Sequence, residues 1–332
     1  MSDVTGIEVS DILGLSDPLT KLIETVSGGI GKLYEPTHIK RIAKAKAEEV
    51  KLLGGAISEL DSIPAKYDAG RIVIDGTDYS ELAKRAQGRL ALQELKKQNN
   101  IDRVVGYAAQ NLGDFAEVSS EPVDLDWTTR FFDAVSDVST DEMQILWGKI
   151  LAGEVNAPGS FSLRTLEAVR NMSKKEAELF SFMASFIINA EAEMFVISDA
   201  SLLKKYKISY ASIMLLDECG LINSSGTLSY NSTVSKTKAL PIYNRRRIVF
   251  VSCKTEEERK ISFGVHTLTR VGKELIKIID VEPNNDYLLD LAKYIESHYT
   301  GIVSISIHEI NEIKDGGINY KLEPIETINT SS

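Results

Sequence analysis

Residues 139–166 read STDEMQILWGKILAGEVNAPGSFSLRTL, and they carry the clearest structural signal in the chain. Ser139 and Glu142 have the spacing of a capping box, in which each side chain binds the other residue's backbone N–H. Apolar residues then recur at helical spacing. We expect Gly153 to end this helix and Pro158-Gly159 to turn the chain. The stretch therefore predicts a capped amphipathic helix followed by a tight connection.

A second capping box follows at Ser173 and Glu176, and apolar residues continue at helical spacing to Ile187. A short helix beginning at Ser162 lies between the two capped helices. Each of these helices has one apolar face and needs a neighbour to bury it. The sequence thus predicts a unit of three helices with short connections.

Three segments of this unit resemble the signature of a bacterial family of unknown function related to the abortive-infection alpha proteins. They are LWGKILAGE at 146–154, PGSFSLRTL at 158–166 and SKKEAELF at 173–180. The resemblance is looser over residues 28–36 and 216–222. It implies a link to bacterial resistance to phage and supplies no catalytic residue. Within the signature we expect core packing, with one buried salt bridge or cap, from Trp147, Phe161 and Arg164.

Composition restricts the class of protein. The chain has 332 residues, 43% of them hydrophobic and 26% charged, which is typical of soluble globular proteins. A net charge of −10 disfavours binding of nucleic acid over the whole surface. The two cysteines form no CxxC pair, which argues against a disulfide framework or a zinc site. With no secretory signal or membrane span in the pattern, we expect a cytoplasmic protein.

An amphipathic helix is predicted over residues 12–33, broken or loosened at Gly28-Gly29. Glycine costs a helix interior roughly 1 kcal/mol relative to alanine, so these two need a reason. A bend, a partner helix or a lipid surface would each supply one. The opposite face has mixed charges, which favours packing or oligomerisation over membrane contact. The candidates for an oligomer or membrane contact are Leu19, Leu22, Ile23, Val26, Gly29 and Ile30.

The pattern along the rest of the chain predicts a mainly α fold. Helices are expected as far as Ile188, with a break at Asn99-Asn100. After two short helices, residues 242–253 and 261–265 are β-rich and a further helix opens at Leu268, an order similar to a winged-helix domain. A helix and a β-hairpin around Asp315 follow. The predicted segments are an N-terminal amphipathic helical segment, a helical domain with the family signature, a winged-helix-like α+β domain and a small C-terminal αββ unit, at 1–70, 71–195, 196–281 and 282–328.

No catalytic, cofactor or metal site is predicted. None of the four histidines has another His or Cys three or four residues away, as metal sites require; they are His38, His266, His298 and His308. Cys219 and His266 could act as nucleophile and base, but a packed thiol is the favoured reading. The glycines at 28–31 lack the preceding strand and the Lys-Ser/Thr ending of a phosphate loop.

A basic segment lies at residues 236–260. Nucleic acid is one predicted partner for it, because lysines and arginines on a β-hairpin can contact phosphates. An acidic protein, or pairing within the chain, is the alternative. The candidate nucleic-acid contacts are Lys236, Lys238, Arg245, Arg246 and Arg247.

The first functional hypothesis is a non-enzymatic interaction protein that acts in bacterial defence against phage, as the resemblance implies. Its N-terminal helices would drive self-association into a homo-oligomer, or membrane contact, and its C-terminal part would respond to a protein partner or phage trigger. The alternative is a winged-helix nucleic-acid-binding regulator that uses residues 236–260. An enzyme with a site assembled from distant residues stays open.

Overall fold

The chain divides between Leu166 and Glu167 into two units. The computed structural model describes residues 17–30, 67–68, 71–72, 79–112, 119–314 and 317–328. Within these, the first unit is helical apart from one two-stranded antiparallel ladder. The second unit contains a large antiparallel sheet.

The first unit is built around a long helix. Its elements are α1 (Asp17–Ile30), β1 (Tyr67–Asp68), β2 (Arg71–Ile72), α2 (Tyr79–Leu112), α3 (Leu125–Val135), α4 (Asp141–Asn156) and α5 (Leu163–Arg170), which crosses the division. The second half of α2 packs against α4. An aromatic cluster fills the core: the Phe131 ring lies 5.0 Å from Trp127, 5.2 Å from Phe132 and 5.3 Å from Trp147.

The second unit alternates helices with short strands. Its elements are α6 (Lys174–Ala184), β3 (Ile188–Ala190), β4 (Glu193–Ile197), α7 (Ala200–Lys205), α8 (Tyr210–Glu218), β5 (Ile222–Asn223), β6 (Ser229–Val234), β7 (Leu240–Tyr243), β8 (Arg247–Cys253), β9 (Arg259–Leu268), α9 (Arg270–Leu275), a 3₁₀ turn (Ile276–Ile278), α10 (Asn285–His298), β10 (Val303–Lys314), β11 (Gly317–Tyr320) and β12 (Glu326–Ile328).

These strands form one ten-stranded antiparallel sheet in the order β11-β10-β8-β7-β3-β4-β9-β5, with β12 beside β10 and β6 beside β9. The long strand β9 has two sets of partners: residues 259–264 pair with β6, whereas residues 265–268 pair with β4 and β5. The core includes Phe195, Phe263 and Tyr287, whose hydroxyl accepts a 2.9 Å hydrogen bond from the Ile197 backbone N–H.

The sheet overturns the predicted fold class. The fold is α+β, and the expectation of a mainly α protein with an N-terminal helical bundle, a winged-helix-like domain and a separate αββ tail is wrong. β10 was assigned to that tail, yet residues 303–309 pair along the whole of β8. Residues 188–197, expected at the end of the helical region, form β3 and β4 inside the same sheet.

Local predictions had mixed outcomes. The capping box at Ser173 and Glu176 is confirmed, because each side chain binds the other's backbone N–H. The box at Ser139 is wrong: α4 begins at Asp141, its N-cap is Thr140, and the Thr140 side chain makes no capping bond. The predicted breaks at Gly28-Gly29 and Asn99-Asn100 are also wrong, since α1 and α2 continue through them.

Candidate functional site

The apolar residues of α1 are covered by the chain's own first unit. Leu22 and Val26 are fully buried and Ile23 is nearly so, and α1 packs on α3. Leu19 and Ile30 are half-buried. Self-association or membrane contact through this face stays a prediction, and it would require α1 to leave its present neighbours.

Gly29 has a packing reason within the first unit. A Cβ at this position would lie 2.5 Å from Cδ2 of Phe132 and 2.6 Å from Cγ2 of Thr128. Only a residue without a side chain lets α1 approach α3 this closely. The close approach of a partner helix, one of the three explanations for the glycines, is therefore met by α3.

We expect Gly29→Ala to lower the free energy of unfolding of the first unit by about 1–3 kcal/mol, because the methyl group overpacks the α1–α3 contact. Gly28→Ala is the matched control, since a Cβ there would meet nothing within 4 Å. Urea denaturation measures both. A midpoint for Gly29→Ala at or above the wild-type value would contradict the close packing of α1 on α3.

The signature segment is held by a buried carboxylate. Glu154 is 2% exposed, and its two carboxylate oxygens accept backbone N–H bonds from Gly159 at 2.6 Å and from Phe161 at 2.9 Å. Gly159 has φ +82°, a conformation that glycine adopts readily. The Trp127 indole N–H donates to the Phe161 carbonyl at 2.7 Å. Glu154 thus fixes the turn that leads into α5.

The three signature residues differ in their surroundings. Trp147 is fully buried and Phe161 is 2% exposed, whereas Arg164 lies on the surface. The Phe161 ring also explains the glycine at 153, which lies inside α4 and does not end it: a Cβ there would lie 2.7 Å from Cε2 of that ring. Two of the signature residues therefore serve the core of the first unit, and Glu154 joins them.

A polar groove of about 450 Å³ lies between α1 and residues 119–128. The ammonium of Lys21 spans it and donates to the Ser119 carbonyl at 2.6 Å. Burial lowers the pKa of Lys21, and the nearby carboxylates of Glu121, Glu154 and Glu24 oppose that shift. Lys21 therefore joins α1 to the segment that leads into α3.

The basic segment uses two of its arginines inside the second unit. Arg245 donates to the carbonyls of Ile276 and Ile279 at 3.0 and 3.2 Å. Arg246 binds both carboxylate oxygens of Glu282 at 2.7 and 3.0 Å. Among the other three candidates, the Lys236 Nζ lies 3.9 Å from the Glu256 Oε1. Lys238 is exposed, and Arg247 is half-buried on β8. Nucleic-acid binding by these residues stays a prediction.

His308 and Cys219 make contacts within the second unit. His308 is bonded to the Lys321 carbonyl at 2.8 Å and to the Ser306 hydroxyl at 2.9 Å. Burial raises the pKa of the Cys219 thiol to about 11, and the adjacent Glu176 adds to the shift. His38 lies outside the described residues. A search of the described part of the chain found no cluster of three or more His, Cys, Asp or Glu placed to hold a metal ion.

His266, on β9, makes the stability of the second unit depend on pH. Burial lowers its pKa below the ordinary value of 6.5, and Asp217 opposes the shift. The unfolded chain therefore binds this proton more readily, so acidification favours unfolding. We expect the free energy of unfolding of the second unit to fall progressively as the pH drops below about 6.5. His266→Gln should remove this loss in calorimetric unfolding of the full chain, whereas His298→Gln, on the surface, should retain it. Equal pH profiles for wild type and His266→Gln would contradict the assignment.

The first half of α2 is more exposed than its second half. In the second half, Val104, Val105 and Ala108 are fully buried. In the first half, by contrast, Leu82 is 44% exposed and Leu90 is 54% exposed. We call residues 82–97 the exposed half of α2. Its helical period was visible in the sequence, but that period does not show whether a neighbour covers the leucines.

Residues 84–292 match the family described as "Protein of unknown function (DUF2806)". The match spans well over half of the chain. The chain belongs to the DUF2806 family. All three signature segments and most of the exposed half of α2 lie inside the DUF2806 match, so the predicted membership of a family of unknown function is confirmed. No curated protein and no solved structure matches the chain. Among the described helices, none combines the length and the apolar character needed to cross a membrane.

Proposed function

We propose that this DUF2806 protein is an interaction protein that docks through the exposed half of α2 and acts in bacterial defence against phage. The docking rests on the structure of α2. The defence role rests on the resemblance of residues 146–180 to relatives of the abortive-infection alpha proteins. In this proposal the first unit serves as a scaffold that presents α2 to a partner. Trp147 and Glu154 stabilise that unit.

The exposed half of α2 is the observation that carries the proposal. Burying an exposed leucine against a partner would stabilise the complex by about 25 cal/mol for each Å² of apolar area removed from water. Leu82 and Leu90 stand eight residues apart, so they lie on the same side of the helix. The second half of α2 is anchored to α4, which presents the first half in a fixed orientation to a partner of the first unit.

This assignment moves the contact surface from α1 to α2. The α1 residues proposed for assembly include Leu22 and Val26, which the first unit already buries. Leu82 and Leu90 lie instead in the helical domain predicted at 71–195, and contact through them needs no rearrangement of the core. The homo-oligomer expected from the sequence stays a prediction, and it does not depend on docking through α2.

The test compares plaque formation on bacteria that produce the wild-type chain, Leu82→Gln/Leu90→Gln or the control Leu125→Gln/Leu322→Gln. The control leucines are 63% and 85% exposed, so both double variants should change stability by only about 0.5 kcal/mol for each substitution. We expect the wild type and the control to reduce plaque numbers and the α2 variant to restore them. Full protection by the α2 variant would overturn docking through α2, and no protection by the wild type against a phage panel would overturn the defence role.

A further inference from the structure

We propose that the exposed half of α2 docks on an anionic membrane surface, lying on it rather than crossing it. This inference rests on the proposed function, since it names the partner of the same helix face. Three features carry it: the arrangement of leucines, the arrangement of basic residues beside them, and the sign of the charge on this face compared with the rest of the chain.

The leucines form a row along the helix. Leu82, Ala86 and Leu90 are spaced by four residues, and successive residues of an α-helix are rotated by about 100°, so these three follow one side of α2. Leu82 and Leu90 are exposed and Ala86 is half-buried. A lipid surface receives such a row by burying it at the boundary between headgroups and acyl chains.

Basic residues form a second row directly beside the leucines. Arg85, Arg89 and Lys96 fall within about 60° of Leu82 around the helix axis. Arg89 and Lys96 are exposed and Arg85 is half-buried. Lys97 falls among the leucines, about 60° from Leu82 on the side away from the arginines, and pairs at 3.0 Å with Glu94 at the edge of the face. Between Arg85 and Leu90 around the helix axis, the described side chains include no carboxylate.

The charge of this face is opposite to that of the chain, whose net charge is −10. Lys and Arg near an anionic leaflet attract it, and the effect decays within a Debye length, so a local basic face acts even on an acidic protein. A second copy using the same face would bring Arg85 and Arg89 of both chains together, which is unfavourable. Nucleic acid would satisfy the arginines but would leave Leu82 and Leu90 in water. A headgroup surface over acyl chains satisfies both rows.

Sedimentation with vesicles tests the proposal on the full chain. One set of vesicles is phosphatidylcholine alone and the other also contains phosphatidylglycerol. We expect binding to the second set only, weakened by salt. Each basic residue near an anionic surface strengthens binding about fivefold, so Arg85→Gln/Arg89→Gln/Lys96→Gln should bind roughly 100-fold more weakly. Lys204→Gln/Lys207→Gln/Lys277→Gln is the matched control, because it removes the same charge from the exposed surface of the second unit, outside the basic segment, and should bind as the wild type does.

The remaining outcomes separate the alternatives. Leu82→Gln/Leu90→Gln should also lose binding, and its full retention would overturn insertion of the leucine row. Equal losses in the two triple variants would overturn a specific face, and so would wild-type binding to duplex DNA, lost in the α2 triple variant, without vesicle binding. If vesicle binding is absent while the α2 leucine variant still loses protection against phage, the membrane inference fails and the proposed function stands.

Discussion

Leu22→Asp is expected to unfold the first unit under conditions in which the wild type is folded. Leu22 is fully buried where α1 packs on α3. The substitution removes a large apolar side chain from the core and places a carboxylate there without a designed partner, and such changes cost about 4–5 kcal/mol or more. That is a large fraction of the stability of a typical domain, which is about 5–15 kcal/mol.

Tryptophan fluorescence during urea denaturation measures this loss selectively, because both tryptophans, Trp127 and Trp147, lie in the first unit. Leu90→Asp is the control: Leu90 is exposed, so its substitution should move the midpoint little. A Leu22→Asp protein with the wild-type midpoint would show that α1 is not part of this core. Loss of assembly in that variant would report on folding before it reported on an interface.

Glu154→Ala is expected to lower the free energy of unfolding of the first unit by about 3–5 kcal/mol. The substitution removes two charge-assisted hydrogen bonds and leaves the N–H groups of Gly159 and Phe161 without their acceptors. Hydrogen bonds to a charged group contribute about 1.5–3 kcal/mol each. The turn that places the Phe161 carbonyl under the Trp127 indole would then loosen.

Glu154→Gln should lose less, because the amide oxygen keeps one acceptor at the site. Glu24→Ala, on the exposed side of α1, is the control for removal of a carboxylate and should stay near the wild type. The same fluorescence measurement orders the three variants. If Glu154→Ala matched Glu24→Ala, the carboxylate would have no role in holding the turn.

Local signals predicted many helix positions and one hairpin. The two short helices predicted ahead of residues 242–253 are confirmed as α7 and α8, and the C-terminal hairpin is confirmed as β10 and β11. Ser173 and Glu176 show why: the groups that decide the helix start are three residues apart, so the pattern contains the whole interaction. Helix caps and short hairpins can therefore be predicted from a few neighbouring residues.

Tertiary contacts decided the elements that the pattern missed. Asn100 reads as a helix breaker, yet its amide is buried and donates to the Ser136 carbonyl at 2.7 Å, 36 residues away. Gly29 continues α1 because α3 lies against it. Strands β3 and β4 are short, and β3 pairs with β7 across more than 50 residues of sequence. The sequence of residues 188–197 does not indicate that β3 will pair with β7.

The sequence predicted the helix that forms the candidate surface, but not the exposure of its leucines. The sequence predicted a helix through this region, as part of the helical stretch that runs to Ile188. A leucine row looks the same whether or not a neighbour covers it, so exposure of Leu82 and Leu90 required the structure. Conversely, α1 has the pattern expected of an assembly helix, and the structure assigns its apolar face to the core.

The pairing of β8 with β10 has a consequence for synthesis on the ribosome. Residues 247–253 emerge about fifty residues before their partners at 303–309, and β8 lies between β7 and β10 in the finished sheet. Until β10 arrives, the nascent chain presents an unpaired edge that carries Ile248, Val249 and Val251. Such edges template association with other chains. Strand β10 therefore covers this edge as soon as it pairs, and so protects the growing polypeptide from association with other chains.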